Sequence, residues 1–209
     1  MLHQEAVTPG TLDLIQMLQC DPELENFVLV GGTALALMTG HRRSIDIDLF
    51  TTVDFNSQSM LQHLEKRHGF SLQYMHHNTL KGIINHVFVD LLTHPYPAIR
   101  KPVVVEGITL ISKEDIAAMK LNAITGNGTR VKDFIDVYFL LKEFSIAEIL
   151  GFYAEKYQQR NTFHALKSLT YFEDLDVTAW PNMLMEKNLT SARLKTTLRN
   201  KSKTYLSQL

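Results

Sequence analysis

With 209 residues, 45% hydrophobic and 21% charged, the chain has ordinary globular composition and room for one large domain or two small ones. A single cysteine, Cys20, excludes an internal disulfide, and no apolar stretch approaches the ~20 residues that a membrane span needs. The net charge of −1 hides an asymmetry: Lys187, Arg193, Lys195, Arg199, Lys201 and Lys203 crowd the end of the chain, and all 22 acidic residues precede them.

Met1 to Glu5 lacks the basic segment and apolar run of a signal peptide, so a soluble, cytoplasmic protein is expected. A first helix is predicted over 12–19, with Thr11 as cap and Asp21-Pro22 as its breaker. Cys20 reads as a half-buried structural thiol rather than a nucleophile. Phe27-Val28-Leu29-Val30 reads as a buried strand, followed at once by Gly31-Gly32 and a short helix from Thr33 that stops at Gly40. Ile45 to Phe50 alternates as a strand, with Ile45, Ile47 and Leu49 on one face and Asp46 and Asp48 on the other.

An amphipathic helix is expected over 57–68, and strands over 71–76 and 83–92. Pro95, Pro97 and Pro102 mark an irregular connection, and Val103 to Leu110 suits a strand or a hairpin. After Ile111 the pattern turns helical, with Ser112 as a cap and helices expected over 113–124, 131–144, 146–158, 163–172 and 191–206. The fold class is therefore α+β: a mixed-sheet lobe over residues 1–111 and a helical lobe over 112–209.

Asp46 and Asp48 lie two apart on one strand, roughly 7 Å along it, so their charges face the same way. Two such carboxylates call for a cation between them, and Mg²⁺ suits an all-oxygen set, with Mn²⁺ as the alternative. Alone, Asp-x-Asp also fits the polar face of an exposed strand. The turn upstream adds weight. Glycines let a backbone approach a ligand closely, and a helix N-terminus offers unpaired N–H groups to phosphate. Arg42, Arg43 and Ser44 stand between turn and strand and add charge beside the acids, an arginine there suiting either a phosphate or an aspartate. Asp90 is the best candidate for a third acid, because a carboxylate in so apolar a strand needs a partner or a function; pairing with a buried Arg or Lys is an equal reading. Among the nine histidines, His76-His77 and His94 show no metal-ligand spacing and read as surface or strand residues.

Gly31-Gly32-Thr33 followed by Arg43-Ser44-Ile45-Asp46-Ile47-Asp48-Leu49-Phe50 resembles the AbiEii/AbiGii toxin-type nucleotidyltransferases, within the DNA polymerase β-like superfamily. Lys120 resembles the helical lysine of that family, and Arg130 to Tyr138 its basic-Asp-x-x-Asp segment, with Lys132 where many members have Arg. The resemblance implies transfer of a nucleoside monophosphate from an NTP, with pyrophosphate released. It implies Asp46, Asp48 and Asp90 as metal ligands, and Gly31, Gly32, Thr33, Arg43, Ser44, Lys120 and Asp133 as nucleotide contacts. Lys120 and Asp136 join the aspartates as catalytic residues. An interhelical salt bridge is an equal reading of Lys120 and Asp136. Expected partners are an NTP, an RNA acceptor such as tRNA, and a cognate antitoxin, with no membrane. A small-molecule acceptor of the antibiotic type, or a non-catalytic regulatory homologue, are the alternatives.

Overall fold

In the computed structural model, which describes residues 1–208, helix α1 (Pro9–Gln19) starts earlier than the pattern predicts. Thr8 is the cap and accepts from the Thr11 amide, and Pro9 opens the helix, where a missing N–H costs nothing. Cys20, beyond its last turn, is exposed rather than half-buried. Then follow β1 (Val28–Leu29), α2 (Gly31–Thr39), β2 (Ile47–Thr51) and α3 (Ser57–His68). Asn56 caps α3, and Gly69 ends it in the left-handed region.

The remaining strands are β3 (Ser71–His76), β4 (Thr79–Ile84), β5 (Val87–Thr93), β6 (Val103–Val105) and β7 (Ile108–Leu110). The single strand expected over 83–92 is instead parts of two. Asn85 and His86 both take positive φ and form a two-residue reversal, so that β4 and β5 pair antiparallel. Val103 to Leu110 is a hairpin, turned by Glu106 and Gly107, also at positive φ. One seven-stranded mixed sheet results, in the order β3-β4-β5-β2-β1-β7-β6, with β2 parallel to β5 and β1 parallel to β7. Ile47 and Leu49 of β2 and Val89 and Leu91 of β5 are fully buried on one face, which leaves the alternate residues half-exposed on the other.

Helices α4 (Lys113–Gly126), α5 (Val131–Leu140), α6 (Ile146–Tyr157), α7 (Phe163–Ser168) and α8 (Ser191–Leu206) complete the chain. The fifth and seventh stop about a turn short of the sequence pattern. After Leu140 the amides of Lys142 and Glu143 bond three residues back, and the capping box of Ser145 and Glu148 starts the next helix. After Ser168 the amides of Thr170 and Tyr171 tighten in the same way.

Two compact units are formed, Met1–Pro97 with Pro102–Ile111, and Ala98–Lys101 with Ser112–Leu209. The short segment joins the second unit because Ile99 and Arg100 donate their amides to the buried Asp115 carboxylate, which also binds the Ser112 hydroxyl and Lys156 Nζ. No helix among the described residues is long and apolar enough to cross a membrane.

Candidate nucleotide and metal site

Val30 ends the β1 segment by donating its amide to the Asp48 carbonyl, 2.9 Å away, and the next residue opens α2. That main-chain bond brings Gly31 onto the side chain of Asp48. A Cβ at Gly31 would lie 2.5 Å from Asp48 Oδ2, and Gly31 holds φ +71°. Both facts demand glycine: a side chain would collide with the carboxylate, and the backbone conformation is strained for L residues. The sequence pattern places Gly31 and Gly32 in a turn before the helix; in the structure they are its first turn. Val30 provides no side-chain cap, and first-turn amides have no acceptor within their own helix. The positive end of α2 therefore lies against the Asp48 carboxylate, an approach that only a glycine allows.

Register supplies the second acid. Asp48 on β2 is the direct partner of Asp90 on β5, so both side chains rise from the same sheet face, on strands about 4.8 Å apart. Both are half-exposed. Lys81 on β4 is the next residue along this row, paired with Asp90 in register and by an ion pair of 2.6 Å. The sequence reading missed Lys81, although the two-residue reversal at Asn85-His86 fixes that pairing. Asp46 falls one residue outside β2, half-exposed, where a place within the strand was expected.

Thr33 does not meet its expected role. It is 1% exposed, and its hydroxyl lies within bonding distance of the Asp46 carbonyl and of Ser44 Oγ. It fastens α2 to the approach of β2 and is not presented to a phosphate. Ser44 is buried as well, with its amide on the Ala6 carbonyl and its hydroxyl beside Thr33 and Arg42. Arg43 is solvent-exposed, whereas Arg42 is buried with Nη1 3.0 Å from the Arg43 carbonyl. Nothing in two consecutive arginines tells which one turns inward.

In the second unit, Lys120 on α4 stands 2.7 Å from Asp133 Oδ1 and 2.7 Å from Asp136 Oδ2, both on α5. The two carboxylates are fully buried and Lys120 is 7% exposed. Arg130 approaches the far oxygen of Asp133 at 3.4 Å. Of the two readings open in the sequence, the interhelical ion pair is the one observed.

Asp46, Asp48 and Asp90 supply the oxygen donors that Mg²⁺ takes, on a half-exposed face; an ion there would have to draw the three carboxylates together and displace Lys81 from Asp90.

The family model for "Nucleotidyl transferase AbiEii toxin, Type IV TA system" matches residues 13–78 and 68–208. The uncharacterized protein aq_aa25 of Aquifex aeolicus (strain VF5) is 33% identical over 155 residues, 71% of this chain and 75% of that protein. Among solved structures, a candidate nucleotidyltransferase from H. pylori aligns over 99% of this chain and 96% of its own, at TM-score 0.56 and 18% identity. The antibiotic-resistance factor ANT(2'')-Ia aligns over 76% of this chain and 95% of its own, at TM-score 0.55 and 15% identity. These two likenesses concern the fold; the family match covers nearly the whole sequence and includes the glycine turn, the aspartate strand and the Lys120 helix. This chain belongs to the AbiEii nucleotidyl transferase toxin family, and is a nucleotidyltransferase.

Proposed function

We propose that the chain transfers a nucleoside monophosphate from an NTP to RNA, with tRNA as the acceptor, and does so as the toxin of a pair with a cognate antitoxin. The observation that carries the reading is the carboxylate of Asp48 set against Gly31, in one row with Asp90. Asp46, Asp48 and Asp90 would hold Mg²⁺, or Mn²⁺ in its place. Bound there, the metal would neutralise charge on the triphosphate and on the leaving pyrophosphate. The amides of Gly31 and Gly32, at the head of α2, would bind phosphate oxygens. Arg43, exposed beside the turn, would reach the nucleotide. Phosphoryl transfer rests mainly on such positioning and charge stabilisation.

Lys120, Asp133 and Asp136 take a structural part in this reading, since their charges satisfy one another between α4 and α5. The acceptor is argued from α8. It buries Leu194 and Leu198 and exposes Arg193, Arg199, Lys201 and Lys203, with no acid on the helix. An exposed basic face of that kind favours a polyanion. The antitoxin follows from the family, whose description names a type IV toxin–antitoxin system.

Incubating the protein with each labelled NTP, Mg²⁺ and total RNA, beside an Asp48→Ala control, tests the reading. Label entering tRNA with wild type alone supports it. Label confined to added aminoglycosides moves the acceptor to small molecules. No transfer that depends on Asp48 rejects the catalytic reading altogether.

A further inference from the structure

A second cluster of ligating side chains lies in the first unit and shares no residue with the glycine–aspartate site. Asp21, in the loop after α1, directs Oδ2 at two imidazoles of α3: His63 Nε2 at 2.7 Å and His68 Nε2 at 2.5 Å. All three ligand atoms lie within 4.8 Å of one another. Asp21 and His68 have side chains 1% and 2% exposed, while His63 is 27% exposed, so the cluster is closed on the inside and open on one flank. Burial opposes ionisation of Asp21, but the bonds from His63 and His68 together outweigh it and bring the carboxyl down to about 2.

We propose that Asp21, His63 and His68 form a binding site for a borderline transition-metal ion of the Zn²⁺ class, pinning the loop after α1 to the C-terminal half of α3. Two imidazole nitrogens and one carboxylate oxygen are the donor set that such ions prefer, in contrast to the all-oxygen row around Asp48. Three protein donors leave a fourth position for water on the open flank, beside His63. The present spacings are those of hydrogen bonds; tetrahedral donors at metal–ligand distances of about 2.0–2.2 Å lie about 3.3–3.6 Å apart, so the side chains must part by about 0.6–1 Å. His63 has that freedom as the partly exposed member, while the buried His68–Asp21 pair must separate within the interior.

Two features set the strength of the site. Arg67 Nε lies 3.3 Å from Asp21 Oδ2 and competes as a cation, yet its side chain is 60% exposed and can swing into water. Ligation through His68 Nε2 transfers the ring proton to Nδ1, which is buried with no hydrogen-bond partner. Metal-binding histidines ordinarily give that proton to an acceptor, so affinity here falls below that of a fully supported structural zinc site.

The test uses the full chain, stripped by chelator and carrying Asp48→Asn to remove the oxygen site. Zn²⁺ is titrated against a chromophoric competitor, and Co²⁺ is followed by its visible d–d bands. One equivalent of Zn²⁺, with Co²⁺ bands of a low-coordinate nitrogen–oxygen site, is expected. His63→Gln, on the exposed flank, should weaken binding at least about tenfold. Arg67→Ala should tighten it by removing the competing cation, a change that a purely hydrogen-bonded cluster would not produce. Absence of stoichiometric binding, or binding indifferent to both substitutions, overturns the site whatever becomes of the transferase reading.

Discussion

Asp48 and Asp90 occupy a half-exposed sheet face beside a helix N-terminus, whereas Asp133 and Asp136 are fully buried around the ammonium of Lys120. Each pair shares one face, the first of a sheet across two neighbouring strands and the second of a single helix. What separates them is the burial of the compensating charge. In the helical unit it is the buried Lys120 on the neighbouring helix, and the carboxylates hold α4 against α5; in the sheet unit it is Lys81, its side chain 45% exposed, which pairs with Asp90. There the Val30–Asp48 bond also brings Gly31 against the half-exposed Asp48 carboxylate, an approach that only a residue without a Cβ allows. A buried acid with an internal cation makes loss of that cation costly, and a half-exposed acid against a helix head can take an external one.

The sharpest way to break this contrast is Lys120→Met. Removing the cation strands two buried carboxylates, and a loss of about 3–5 kcal/mol of stability is expected. Denaturant unfolding followed by circular dichroism measures it. Replacing Asp133 and Asp136 by apolar residues in the same chain should recover much of the loss, because the unpaired charge is then gone. If Lys120→Met instead leaves unfolding unchanged and lowers transfer alone, the lysine belongs to the reaction.

Asp48→Ala should do the reverse. Nucleotide transfer is expected to fall by about 10²–10³-fold or more, as when a principal transition-state contact is lost. Its unfolding midpoint should move far less than that of Lys120→Met. Turnover assays and denaturation on the same preparations give the crossed result, and parallel losses in both readouts would erase the distinction.

Much of this contrast is visible in the sequence, and the parts that are not have definite causes. Strand alternation separates Ile47 and Leu49 from Asp48, and the helices over 57–68 and 191–206 end where the pattern places them. The apolar run through Val87 to Leu92 hid a reversal, because a histidine at positive φ is a weak turn signal. With that turn missed, Lys81 could not be set opposite Asp90. Thr33 looked like a phosphate contact because a hydroxyl at a helix start serves either purpose; only tertiary packing turns it toward Asp46 and Ser44. The Asp21 cluster left no local signature: its histidines are five apart, at no standard ligand spacing, and the carboxylate comes from 42 residues earlier. Register across a hairpin can be inferred from its turn, but convergence of loop and helix cannot.

Gly31→Ala sharpens the sheet half of the comparison with a smaller effect. The added methyl would sit 2.5 Å from Asp48 Oδ2 at a φ of +71°. The backbone strain should cost about 1–2 kcal/mol, and displacement of the carboxylate should lower turnover by up to about 100-fold. Repeating the substitution in Asp48→Ala removes the collision but keeps the strain. A double-mutant cycle in stability should then give a coupling between the two positions. Additive effects would mean that Gly31 serves the turn and not the carboxylate.

The gentlest probe is pH, and it concerns the acid that ties Ala98–Lys101 to the helical unit. Burial raises the pKa of Asp115, but Lys156, Ser112 and the amides of Ile99 and Arg100 together outweigh it, so the carboxyl ionises below its ordinary value of 3.8. A group with a lowered folded pKa binds fewer protons when folded than when unfolded near that value. Its stabilisation is therefore complete above about pH 4 and disappears as pH falls through the lowered value. The thermal midpoint of wild type should exceed that of Asp115→Asn at neutral pH, and the gap should narrow on acidification below pH 4. A gap independent of pH would show that the Asp115 charge contributes little, and that hydrogen bonds alone hold α4, α6 and the 98–101 segment together.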